Sequence, residues 1–155
     1  MAILQTIKTL QHALTTYRMG LLQARAYRIL KKSSSDRLFA FDLSTLDWAM
    51  LGLLYDTPKG FRLSKVAELL GVEAPFVTEM VKELKRKGYV EQAVDPKDSR
   101  AKILKLTEKG RKFVPSVDRN LRDELRYLVS GASPKDLFGY IKVLEQIIVN
   151  SEKRK

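Results

Sequence analysis

The chain has 155 residues, a single-domain length, with 45% hydrophobic and 30% charged residues. Those are globular proportions, and they exclude a disordered or collagen-like polymer. It contains no cysteine and one histidine, His12, which removes disulfides, thiolate metal sites, thiol-based redox sensing and histidine metal clusters. Lysine and arginine number 29 against 18 acidic residues, a net charge of +11 that points to an anionic partner, with a merely solvated basic surface as the bland alternative. The longest uncharged apolar run, Trp48 to Tyr55, is far short of the ~18 residues that span a bilayer. Lys8 also interrupts any signal-peptide core, so no membrane partner and a cytoplasmic location are expected.

Ile3, Ile7, Leu10, Leu14, Tyr17, Leu21 and Ala24 alternate steps of four and three, which predicts a long first helix over residues 2–32 with one apolar seam. Cations at Lys31-Lys32 and the polar Ser33-Ser34-Ser35-Asp36 predict its end. Ser44 with Asp47 forms a capping-box pattern ahead of a mostly buried second helix, which Asp56-Thr57-Pro58-Lys59-Gly60 terminates. Ser64 is expected to cap a short third helix that ends before Gly71. Pro75 suits the first turn of a fourth, and Gly88 the left-handed position beyond its end.

Beyond Gly88, Tyr89 to Ala93 and Lys102 to Leu106 read as the strands of an antiparallel hairpin around Asp95-Pro96-Lys97-Asp98. Thr107 caps a fifth helix reaching Val129, with Pro115 expected to kink or re-start it. Ser133-Pro134-Lys135-Asp136 then opens a sixth, with Leu137, Tyr140, Ile141, Leu144, Ile147 and Ile148 as its apolar stripe.

Two short helices joined by a tight turn and followed by a basic hairpin give the winged helix-turn-helix order, in which the second short helix enters the major groove. Residues 62–112 carry thirteen basic residues against eight acidic ones. Ala67, Gly71, Val77, Met80 and Leu84 have the spacing of the small crossing residue, the turn and the inward face. A fork-shaped cation at a hairpin tip suits the electronegative minor groove, which singles out Arg100. The alternative is that Arg100 and Asp98 only pair with each other.

The chain resembles the MarR/SlyA family of winged-helix transcription regulators. The resemblance is carried by Leu43-Ser44-Thr45 with Leu51, Leu63 to Val72, Val77-Thr78 with Val81 and Leu84, and Lys87-Gly88-Tyr89-Val90. Its most telling part is Asp95-Pro96-Lys97-Asp98-Ser99-Arg100 followed by Leu104 to Gly110. The resemblance implies a mainly α fold with a two-stranded wing. Residues 1–43 would be a dimerisation helix and connection, 44–110 the DNA-binding lobe, and 111–155 further dimerisation helices. It implies a homodimer reading an inverted repeat in double-stranded DNA, with half-sites about one turn, ~34 Å, apart.

Candidate DNA contacts are Ser64, Ala74, Pro75, Phe76, Thr78, Glu79, Lys82, Lys85 and Arg86 at the readout helix, and Lys97, Asp98, Arg100 and Lys102 in the wing. The resemblance gives Asp98 a salt bridge that fixes the wing. Glu73-Ala74-Pro75-Phe76 and Glu79 depart from the polar or basic readout residues usual in the family, and Gln92 stands where an arginine is common. A winged-helix interaction module, or a nonspecific nucleic-acid binder, is therefore the rival reading. A small anionic or phenolic effector is implied, and Tyr17, Arg18, Trp48 and Tyr55 could line its site unless, as is more usual for aromatic residues, they are core. No P-loop, dinucleotide fingerprint or nucleophile elbow occurs, so neither an enzyme nor a cofactor or metal is expected.

Overall fold

A computed structural model describes residues 15–95 and 98–154, with only the backbone of Thr16, Ser99 and Arg100. The seam residues Ile3, Ile7, Leu10 and Leu14, and His12 with them, lie outside the described residues. Helix α1 spans Thr16–Leu38 and leads through a 3-10 turn, Phe39–Phe41, into α2, Thr45–Asp56. Strand β1 is Phe61–Arg62, followed at once by α3, Leu63–Leu70, and α4, Ala74–Arg86. Strands β2, Val90–Asp95, and β3, Asp98–Leu106, precede α5, Glu108–Leu128, and α6, Pro134–Glu152. The fold is mainly helical with one small antiparallel sheet, as expected.

The first helix does not stop at the serines. It runs on to Leu38, because Lys32 and Asp36 form an ion pair one turn apart at 2.7 Å and Leu38 anchors the last turn at 0% exposure. Packing of that anchor outweighs the weak intrinsic preference of three serines. The capping box of α2 is present: Ser44 Oγ accepts from the Asp47 N–H at 3.0 Å, and the Asp47 carboxylate accepts from the Ser44 N–H at 2.9 Å. Ser44→Ala should therefore cost about 1 kcal/mol, read as a shift of the urea midpoint at constant slope. An unchanged midpoint would mean that the cap contributes nothing.

Gly71 and Gly88 take left-handed backbone, with φ of 66° and 76°, and close α3 and α4. After each, a backbone N–H reaches back into the last turn: Val72 to the Ala67 carbonyl at 3.0 Å, and Tyr89 to the Leu84 carbonyl at 2.9 Å. Ser64 is not the cap of α3. Arg62 occupies that position without a side-chain cap bond, because the chain is still paired in β1 there and turns helical directly afterwards.

The wing is longer than the pattern suggests, and a third strand joins it. The sheet order is β1-β3-β2, with Phe61 opposite Leu104 and Val90 opposite Leu106, and with an irregularity between Val94 and Asp95. Thr107 caps α5 through the Gly110 N–H at 3.0 Å. Pro115 does not re-start the helix, which continues through it between the buried Val114 and Val117. The proline removes one backbone bond, and packing on either side holds the helix across the gap. Ser133 and Asp136 form the second capping box, and their mutual hydrogen bonds hold the Asp136 carboxyl below its ordinary pKa.

Two compact units result, the first ending at Arg122 and the second starting at Asp123, within α5. The first contains the core: Leu38, Met50, Leu51 and Leu54 from α1 and α2, Val66, Ala67, Val77, Val81 and Leu84 from the helix pair, and Val90, Leu104 and Leu106 from the sheet. In the second, most apolar residues of α6 are open to solvent in the single chain, with Phe138 71% and Ile148 57% exposed, while Leu137 and Leu144 are half-buried.

Candidate nucleic-acid interface

The inward face of the helix pair is as the spacing predicts. Ala67, Val77, Met80 and Leu84 are all buried, which fixes the opposite face of α4 outward. Ala74, Pro75, Phe76 and Glu79 are exposed there, with Thr78 half-buried. Pro75 occupies the first turn, where its missing N–H costs little. The Thr78 hydroxyl donates to the Ala74 carbonyl at 3.0 Å.

The cations of α4 have local partners. Lys82 pairs with Glu79 at 2.6 Å and Arg86 with Glu83 at 2.9 Å, while Lys85 donates to the Gln92 side-chain carbonyl at 3.3 Å. Gln92 thus binds a helix lysine instead of adding a wing cation. Exposed pairs of this kind contribute ~0–1 kcal/mol, so a phosphate can compete for them.

Arg62, which the sequence did not single out, organises the base of the wing. Its Nε donates to Asp95 Oδ2 at 2.8 Å, and its Nη2 stands 3.4 Å from Asp98 Oδ2. The Asp95 side chain is only 11% exposed. One guanidinium therefore holds a carboxylate at each end of the hairpin turn, joining β1 to the tips of β2 and β3. Arg62 is thus a partner of Asp98, and the alternative pairing of Asp98 with Arg100 falls on a side chain outside the described atoms. Lys97 likewise lies outside the described residues, and Lys102 is exposed on β3.

At the other end of the wing, the Tyr89 ring stacks on Phe113 with centroids 4.1 Å apart and planes 4° from parallel. Phe41 meets Phe113 edge-on, and the Lys109 ammonium lies 4.9 Å from the Tyr89 centroid. Lys87 pairs with Asp42 at 2.8 Å, and that hydrogen bond and charge lower the Asp42 pKa. A carboxyl lowered in the folded state stabilises above its unfolded pKa and loses that contribution as pH falls through the folded value.

Two grooves border these elements. One, of about 660 Å³, runs between α3 and the sheet and is lined by Lys59, Arg62, Ser64, Lys65, Asp95 and Lys105, among others. The second, of about 600 Å³, runs along α4 beside the start of α2 and includes Phe39, Asp42, Phe76, Glu79 and Arg86. Neither contains Tyr17, Arg18, Trp48 or Tyr55. Trp48 packs against the core, whereas Tyr17 is 69% exposed and Arg18 and Tyr55 are exposed. The sequence missed Arg62 because a two-residue strand is too short to show a pattern; Gly60 before Phe61-Arg62-Leu63 was the available sign of a turn into extended chain.

Helix, left-handed turn, helix and a strand-paired hairpin on one core define a winged helix-turn-helix protein. The chain has the fold of the MarR-family transcriptional regulators, a non-enzyme class, and its residues 41–101 match the MarR family model. Among solved structures, it is similar to the transcriptional regulator BldR from Sulfolobus solfataricus, at 26% identity and TM-score 0.74, covering 84% of this chain and 94% of that one. CouR from Rhodococcus jostii RHA1, solved bound to p-coumaroyl-CoA, matches at 22% identity and TM-score 0.79, covering 84% and 91%. MepR from S. aureus, solved as a DNA complex, matches at 24% and 0.70, covering 84% and 96%. Among the described residues, no single helix is long and apolar enough to cross a membrane.

Proposed function

We propose that this chain is a homodimeric regulator that binds double-stranded DNA, with α4 in the major groove and the wing in the adjoining minor groove. The observation that carries the reading is the placement of α4 and the basic hairpin on one core, with the outer face of α4 turned to solvent. MepR, solved with DNA on the same fold, supports it. The apolar residues open on α1, such as Leu21 and Leu22, and on α6, such as Phe138 and Ile148, support dimerisation through residues 1–43 and 111–155, around a DNA-binding lobe at 44–110. Burying such faces against a second copy removes apolar area from water at ~25 cal/mol per Å².

Titration of a labelled duplex at several salt concentrations tests the proposal, because each neutralised phosphate releases counterions and steepens the salt dependence. Absence of binding, or binding indifferent to salt, would refute it. Arg100→Ala should weaken the complex about tenfold or more with melting temperature and dimer mass unchanged. Parental affinity in that variant would remove the wing from the interface.

A small anionic or phenolic effector belongs to the same reading, supported by the p-coumaroyl-CoA held by CouR. One observation favours the rival, a winged helix without base readout: α4 presents Phe76 and Glu79 outward, and its cations are engaged by their neighbours. That reading predicts equal affinity for all duplex sequences.

A further inference from the structure

The basic side chains of the DNA-binding lobe fall into two groups by what they already touch. On α4, Lys82 and Arg86 are each paired with a glutamate one turn away, at 2.6 and 2.9 Å, and Lys85 with Gln92. In the groove between α3 and the sheet, four cations face two carboxylates. Arg62 is engaged by Asp95 and Asp98, and Lys65 by Glu68. That leaves Lys59 and Lys105, for which the described residues provide no ion pair or hydrogen bond. Between these two sets, the cations without a partner therefore lie in this groove rather than on the readout helix, while Lys102, exposed on β3, stands outside both.

The groove suits an extended polyanion. It reaches from Ser64 at the start of α3 to Asp95 at the end of β2, between the first helix of the pair and the tip of the wing. Phe61 and Ile103 give it an apolar wall, and low-dielectric walls focus the field of the charges they border. Arg62 covers the two acids that would otherwise repel a phosphate at the wing end.

We propose that this groove is a channel for the sugar–phosphate backbone of duplex DNA, and that Lys59 and Lys105, more than the cations of α4, supply the salt-dependent part of the affinity. The inference rests on the DNA-binding reading above and assigns its electrostatic work to particular residues. Electrostatic affinity comes from cations that are free to meet phosphate, whereas a cation already paired must exchange one partner for another and gains less.

The test compares two double variants of equal net charge, Lys59→Gln with Lys105→Gln and Lys82→Gln with Arg86→Gln, by titrating a labelled duplex across a salt series. The groove variant should lose about two units of slope in log K against log salt, ~0.9 per phosphate contact, and bind at least tenfold more weakly at ~0.15 M salt. The helix variant should lose less than half of that slope. Melting curves confirm that both variants are folded, and Lys59→Gln alone, at an exposed position, should lose about one unit should the double variant fail to fold. A groove variant with the parental slope, or a helix variant that loses as much or more, would overturn the assignment. A parent chain that bound no duplex at all would refute the DNA-binding reading itself, and the assignment with it.

Discussion

Gly110→Ala is expected to destabilise the protein by about 3 kcal/mol, a fall of roughly 10 °C in melting temperature. A Cβ built on Gly110 would stand 2.1 Å from the Tyr89 carbonyl oxygen and 3.0 Å from its carbon, both backbone atoms. Neither side can give way easily. The Tyr89 carbonyl also accepts the Thr107 N–H at 3.0 Å, and the Thr107 hydroxyl donates to the Gly88 carbonyl at 2.6 Å while accepting from Gly110. The Tyr89 ring is held by its stack on Phe113. Helix propensity alone would favour alanine by about 1 kcal/mol, so the steric cost must exceed that gain. Gly139, helical and with nothing within 4 Å of an added Cβ, is the control, and its alanine variant should melt no lower than the parent. A Gly110→Ala protein with parental stability would mean that the first turn of α5 does not pack on the wing base as described.

Leu84→Ala should cost about 2–5 kcal/mol, from lost burial and the cavity left behind. Leu84 is fully buried at the end of α4, and its carbonyl accepts the Tyr89 N–H that turns the chain into the wing. It therefore ties the readout helix to the core where helix and hairpin meet. Urea denaturation should show a large midpoint shift, against less than ~0.5 kcal/mol for the exposed Lys82→Ala two residues earlier. Equal, small shifts at both positions would contradict the inward assignment of this face.

Periodic and capped parts of the fold were legible in the sequence because they follow from local rules. Ser44 and Asp47, Ser133 and Asp136, and the closing Gly71 and Gly88 each satisfy backbone groups within a few residues. The spacing of Val77, Met80 and Leu84 follows from the pitch of α4 alone. Long-range contacts decided what the sequence missed. Three serines gave no warning that Leu38 would be an anchor, Ser64 has the chemistry of a cap but the chain turns helical at Leu63, directly after the pairing of β1, and β1 exists only because β3 is there to receive it. The candidate site divides in the same way. The outward face of α4 was predictable, but the pairing of its cations with Glu79, Glu83 and Gln92, and the hold of Arg62 on Asp95 and Asp98, depend on geometry that spacing does not encode.

The most direct measurement of the central claim is selection of bound duplexes from a random-sequence pool by the full-length chain. A dimer that presents two copies of α4 and the wing should enrich an inverted repeat whose half-sites lie about one helical turn apart. A bound pool with no sequence in common, at undiminished affinity, would contradict base-specific recognition and leave a module that reads only the charge of the duplex.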